Sequence, residues 1–174
     1  MTAASQLETL VETAAGDLLG YLARRTREPE DAADLLGDVF ATLAEHPERI
    51  PADPEQARMW AFGIARNLLR GHFRRATRTD AVTTRLRDSI RTAAAAHPGD
   101  DLQALRDEVQ LAVRTLPERQ RELVSLVHWD GFSIEQAAAH LGMRASTART
   151  HLSRARTRLR GILRPALDSA APIR

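Results

Sequence analysis

The sequence contains no cysteine and no lysine. The first absence excludes a disulfide framework, a Cys-ligated zinc or iron–sulfur site and a thiol nucleophile. The second explains a mismatch in the charge figures: net charge is only +2, yet the isoelectric point is about 10.2. All 25 basic residues are arginine, which stays charged above pH ~12 where lysine has already titrated. The high value therefore overstates the basicity. No apolar run approaches the roughly 18 residues of a membrane span. Met1–Leu10 also lacks the basic stretch that opens an export signal. A soluble cytoplasmic protein without membrane insertion is the expectation. Strand signals are equally scarce, with few Val, Ile, Thr or aromatic alternations.

What is present is enough for a packed fold. The 174 residues are 43% hydrophobic and 28% charged, room for one ordinary domain or two small ones. Charge is sorted along the chain. Residues 1–57 carry a net of −8 and residues 58–91 a net of +7; residues 92–143 carry −4 and residues 144–174 again +7. An acidic block followed by a basic one occurs twice, as expected of two modules with one electrostatic plan, although solvated helix faces also cluster charge.

Helical periodicity runs through both modules. A first helix is expected over about Gln6–Arg25, with Leu7, Leu10, Val11, Ala14, Leu18 and Leu22 on one face. A second opens at Pro29, where a missing N–H costs nothing, and runs to Glu45, burying Leu35, Leu36, Val39, Phe40 and Leu43. Pro47, Pro51 and Pro54 make His46–Glu55 a loop, and a third helix spans about Gln56–Thr77 with Trp60, Ile64, Leu68 and Leu69 as its apolar residues. Residues 79–100 read as a flexible linker. Further helices are expected to end near Leu116, to run over Pro117–Trp129, over Ile134–Leu141 behind a Ser133/Gln136 capping box, and from Ala145 to Leu163. The fold class is all-α: domains at 1–78 and 101–174, the second a helix-turn-helix.

The last two helices carry the sharpest signal. Gly142 heads a short turn, and Thr147, Arg149, Thr150, His151 and Arg154 follow in the first half of the final helix. That half of a recognition helix meets base edges in the major groove, where arginine pairs with guanine. Arg156, Arg158 and Arg160 lie further along and suit phosphates. Six arginines from Arg149 to Arg164 have no acid among them; without a polyanion they repel one another.

On the third helix, Trp60 and Phe62 are interleaved with Arg58, Arg66, Arg70, Arg74 and Arg75. That mixture suits single-stranded DNA, but a ring in a bundle core reads the same way, and for Trp60 both readings stay open with the core preferred. On the second helix Asp31, Asp34 and Asp38 share one face, either solvated or a dock for a basic partner. No nucleophile, Gly-rich loop or metal-ligand spacing accompanies them, and the six histidines are scattered. No catalytic residue, cofactor or metal is expected.

Taken together, four segments resemble one family. Asp31-Ala-Ala-Asp-Leu-Leu-Gly-Asp-Val-Phe40, with Trp60-Ala-Phe-Gly-Ile-Ala-Arg-Asn67 and Arg74-Arg75, is similar to region two of bacterial extracytoplasmic-function (ECF) sigma factors. Leu116-Pro-Glu-Arg-Gln-Arg-Glu-Leu-Val124 resembles the start of region four, and Ser133–Met143 with Thr147–Arg156 its helix-turn-helix. The resemblance implies a subunit, not itself an enzyme, that binds core RNA polymerase and directs it to promoters. It puts Asp31, Asp34, Asp38 and Phe40 in the helix that docks on the β′ clamp helices. It puts Arg49, Asp53 and Gln56 in the loop that captures a flipped minus-ten base, and lines the DNA there with Trp60, Arg66, Asn67, Arg70, Arg74 and Arg75. Thr147, Arg149, Thr150, His151, Ser153 and Arg154 fall on minus-thirty-five positions, with Arg158 beyond them, and helix Pro117–His128 packs on the β flap. An anti-sigma factor is a further partner that the family allows.

Four positions depart from the family pattern. Arg144 replaces a capping Ser, which leaves the start of the recognition helix to shift or to rely on Ser146. Ala145 replaces an acid, His151 an Arg and Gly71 an Asp, so no promoter sequence carries over. The competing readings are a dimeric helix-turn-helix regulator, which would bind paired half-sites without polymerase, and a recombinase. The recombinase needs a catalytic Ser or Tyr, and Tyr21, the only tyrosine, sits in an apolar helix face.

Overall fold

A computed structural model describes residues 2–79 and 101–169, the side chains of residues 76–79, 101–107 and 165–169 excepted. Seven α-helices and no strands occur among them. They form two compact units, three helices in the first and four in the second. The expected linker at 79–100 lies almost wholly outside the described residues. No described helix is long and apolar enough to cross a membrane.

In the first unit α1 spans Ala3–Ala23, three residues earlier than its apolar stripe suggests, because Thr2 caps it: the Thr2 hydroxyl accepts from the Ser5 N–H at 3.2 Å. α2 covers Pro29–Glu45. A single 3₁₀ turn, Pro47–Arg49, interrupts the proline-rich loop, and α3 runs Pro54–Thr79. Its start precedes Gln56 because the Asp53 carboxylate accepts from the Gln56 N–H at 2.8 Å, which satisfies a donor the first turn leaves open.

The core stripe of this unit is rotated from the expected one. Ala57, Ala61, Phe62, Ala65 and Leu69 of α3 are buried, whereas Trp60, Ile64 and Leu68 are half-buried. On α2, Ala32, Leu35, Val39 and Leu43 are buried while Leu36 and Phe40 are not fully covered. Alanines permit close helix approach, and apolar size alone hides that. Phe62 meets Tyr21 of α1 edge to face, centroids 5.2 Å apart, and Arg58 and Arg25 cap the two rings at 4.7 and 3.8 Å. Arg58 also bridges to Asp17 at 3.1 Å. Guanidinium groups thus cover the outer edges of the aromatic pair.

In the second unit α4 spans Asp101–Arg114 and α5 Glu118–His128. Pro117 ends the helical conformation before it, so Leu116 closes a turn onto the Val113 carbonyl at 3.1 Å instead of extending α4. Gly131, at φ +69°, turns the chain after α5. α6, Ile134–Leu141, has the full reciprocal cap: Ser133 Oγ accepts from the Gln136 N–H and Gln136 Oε1 from the Ser133 N–H. It stops at Gly142, φ +68°, where the Met143 N–H donates to the Ala138 carbonyl at 2.9 Å. α7 begins at Ala145, directly after Arg144, and continues to Ser169. The arginine in place of a capping serine does not shift its start. Ala137 and Ala138 of α6, with Ala148, Leu152 and Ala155 of α7, are buried. Small residues let the two helices close on each other.

Candidate nucleic-acid interface

On α2 the three aspartates are not equivalent. Asp34 and Asp38 are exposed, with no side-chain partner among the described residues. Asp31 is half-buried, and its carboxylate lies 3.7 Å from His72 Nε2 of α3. Phe40 is half-buried. The outward carboxylates are therefore two, and Asp31 belongs to the seam between helices.

The loop between α2 and α3 is pinned by buried Ile50 and leaves Arg49, Asp53 and Gln56 exposed. One oxygen of Asp53 is committed to capping α3. Between this loop and α1 lies a shallow crevice beside Ile50, Pro51 and Leu10.

Along α3 the positions Gln56, Trp60, Gly63, Asn67, Arg70 and Arg74 recur at intervals of three or four, which places them on one face. Gln56, Asn67, Arg70 and Arg74 of that row are exposed. Arg66 and Arg75 fall on its flanks. Trp60 belongs to this row and is half-buried, whereas Phe62 is the fully buried ring of α3. Phe73, 44% exposed and edge to face with His72, stands beside Arg74 and Arg75, whose charge dominates the local sequence pattern.

On α7 the expected residues divide between faces of the helix. Thr150, Ser153 and Arg154 point away from the buried row, and the Thr150 hydroxyl donates to the Ser146 carbonyl at 3.1 Å. Arg149, Arg156 and Arg160 line one flank with Ile134, around an open groove of about 390 Å³. The guanidinium of Arg149 bonds the Glu135 carboxylate. Thr147, His151 and Arg158 take the other flank. Thr147 is exposed, His151 is half-buried, and the buried Nδ1 of His151 lacks a hydrogen-bond partner. Arg158 Nη1 donates to Gln120 Oε1 of α5 at 2.7 Å. Of the three arginines expected at phosphates, Arg156 and Arg160 have no internal partner among the described residues, and Arg158 has one. Helical phase separates them, and an arginine count does not reveal it. Among the described residues no cluster of His, Asp or Glu could hold a metal ion.

Two compact helical units, one ending in a helix-turn-helix and both with arginine-rich outer faces, define a DNA-binding protein. Comparison with known proteins is specific. The family model of sigma-70 region 2 matches residues 10–79 and that of sigma-70 region 4 matches residues 106–159. The chain is 35% identical over 138 residues to the ECF RNA polymerase sigma factor SigF of Caulobacter vibrioides, an overlap of 78% of this chain and 72% of that one. It is 32% identical over 155 residues to the RNA polymerase sigma-E factor of Streptomyces antibioticus, covering 89% and 83%. The sigma factor RpoE of Bartonella quintana, solved in complex with the anti-sigma factor NepR, superposes with a TM-score of 0.65 at 25% identity, over 90% of this chain and 96% of that one. The chain belongs to the ECF sigma factors, which bind core RNA polymerase and direct promoter-specific transcription initiation. Sigma factors are non-catalytic initiation factors. Family membership decides against the dimeric regulator.

Proposed function

We propose that residues 1–78 dock on core polymerase and open the minus-ten region, that residues 79–100 link the modules, and that residues 101–174 read the minus-thirty-five element. The observation that supports this division is where the unpartnered charge lies. Asp34 and Asp38 on α2, Arg70 on α3, and Arg154, Arg156 and Arg160 on α7 have no side-chain partner among the described residues. Other exposed charges also lack one, but these six lie on the three helices in question and suit partners of opposite sign: a cationic surface for α2, polyphosphate for α3 and α7.

The chain makes and breaks no bond in this reading; bond formation belongs to the polymerase. Asp31, Asp34, Asp38 and Phe40 form the docking helix, with the direct ionic contacts falling to Asp34 and Asp38. Arg49, Asp53, Gln56, Trp60, Arg66, Asn67, Arg70, Arg74 and Arg75 hold the melted minus-ten strand. Trapping an extruded base there offsets the few kcal/mol of unstacking. Thr150, Ser153 and Arg154 face the DNA, flanked by Arg149 on one side and by Thr147 and His151 on the other, and Arg158 steadies the helix that carries them. An anti-sigma protein is a further partner, because the Bartonella quintana relative was crystallised with one.

Transcription in vitro tests the reading. Purified core polymerase with this chain and a promoter library should give transcripts from defined start sites that core alone does not make. Transcripts indistinguishable from those of core alone would sink it.

A further inference from the structure

The ion pair between Glu135 and Arg149 joins the two helices of the helix-turn-helix across fourteen residues of sequence. Both side chains are more than half exposed, at 60% and 58%, so the pair adds little to folding stability. Its position is nonetheless tightly set. The reciprocal Ser133/Gln136 cap fixes the turn that carries Glu135, and Gly142 with the alanine contacts fixes α6 against α7. Glu135 is thus held by backbone geometry, while Arg149 alone would sample many rotamers. The groove beside Arg149 is lined also by Arg156 and Arg160 and by no acid. Glu135 is the carboxylate within reach.

We propose that Glu135 is a positioning residue for promoter reading: it holds the Arg149 guanidinium in one orientation before DNA arrives. One Arg149 nitrogen is engaged with Glu135, and the remaining N–H donors still form a planar fork. That fork fits a base edge with two acceptors, which in the major groove is guanine. Ordering the side chain in advance spares that cost on binding, and it is spared only where the fork finds its acceptors. The pair therefore acts on selectivity more than on affinity. This inference rests on α7 being the promoter-reading helix.

The test compares holoenzymes carrying the wild-type chain, Glu135→Ala, Glu135→Gln, Arg149→Ala and the double Ala variant. Each is titrated against promoter duplexes in which every minus-thirty-five base pair is replaced in turn. Arg149→Ala should lose discrimination at one G·C pair. Glu135→Ala should lose about three- to tenfold of discrimination at that same pair, with binding to unrelated DNA unchanged or tighter because a like charge has gone. Glu135→Gln should recover part of the loss, since its amide oxygen still accepts. The double variant should be no worse than Arg149→Ala. Unaltered discrimination in Glu135→Ala, while Arg149→Ala loses it, overturns the positioning role and leaves the promoter-reading helix standing. An equal loss against all sequences also overturns it. If Arg149→Ala changes no base preference, the assignment of Arg149 to a base fails and the positioning role with it.

Discussion

Arg158 Nη1 donates to the side-chain oxygen of Gln120 at 2.7 Å, and Gln120 is only 5% exposed. This bond ties the helix expected to read DNA to α5, the helix expected to meet the polymerase flap. It also separates Arg158 from Arg156 and Arg160, two residues away on either side and on the opposite flank. Replacing Arg158 by alanine leaves a buried amide short of a partner, a cost of about 1–3 kcal/mol. Thermal melts should show that loss in Arg158→Ala and not in Arg156→Ala or Arg160→Ala. Holoenzyme binding at several salt concentrations should show the reverse. Each of the latter two should lower the salt slope by about one ion, and Arg158→Ala should lower it less.

The docking face gives a second contrast. Replacing both Asp34 and Asp38 by arginine should weaken binding to core polymerase while the helical circular dichroism stays unchanged, because both carboxylates are exposed and have no side-chain partner among the described residues. Asp31→Asn should leave core affinity much closer to wild type, since Asp31 faces His72. Equal losses in the two variants would mean that docking uses the whole acidic row.

Much of this fold is legible in the sequence, for a local reason. Helices announce themselves through caps and breakers: Pro29, the Ser133/Gln136 pair and Gly142 set boundaries that the structure reproduces. Which face of α3 turns inward is a tertiary matter. Ala57, Ala61 and Ala65 carry little hydrophobic signal, yet they allow the close approach that buries Phe62 and leaves Trp60 half-buried. The candidate site was half visible in the same way. Residue types and order single out α7 as the expected recognition helix, but that Arg158 meets Gln120 of α5 and Arg149 meets Glu135 of α6 depends on packing. A helical wheel gives the phases but not these partners.

Gly142 offers a test of the turn alone. Its φ is +68° and a Cβ placed there meets nothing within 4 Å, so Gly142→Ala carries only the conformational penalty. A loss of about 1 kcal/mol is expected for forcing alanine into left-handed backbone. Denaturant melts of the full chain measure it. A loss above about 3 kcal/mol would indicate that α6 and α7 had repacked.

Trp60 and Phe62 should fail in different ways. Phe62 is fully buried and packs edge to face on Tyr21, so Phe62→Ala removes a core ring and should cost about 3–5 kcal/mol. Trp60 is half-buried on the face that carries Gln56, Asn67 and Arg70, so Trp60→Ala should cost clearly less. What it should lose is promoter opening, since a half-buried indole between polar and cationic neighbours is suited to stack on an unpaired base. Holoenzyme with Trp60→Ala should still bind promoter duplex, while permanganate reactivity of thymines near the start site falls. Phe62→Ala, assayed below its own melting temperature, should keep that reactivity in proportion to the folded fraction. If Trp60→Ala proves the less stable of the two and opens DNA normally per folded molecule, the indole is a packing residue after all.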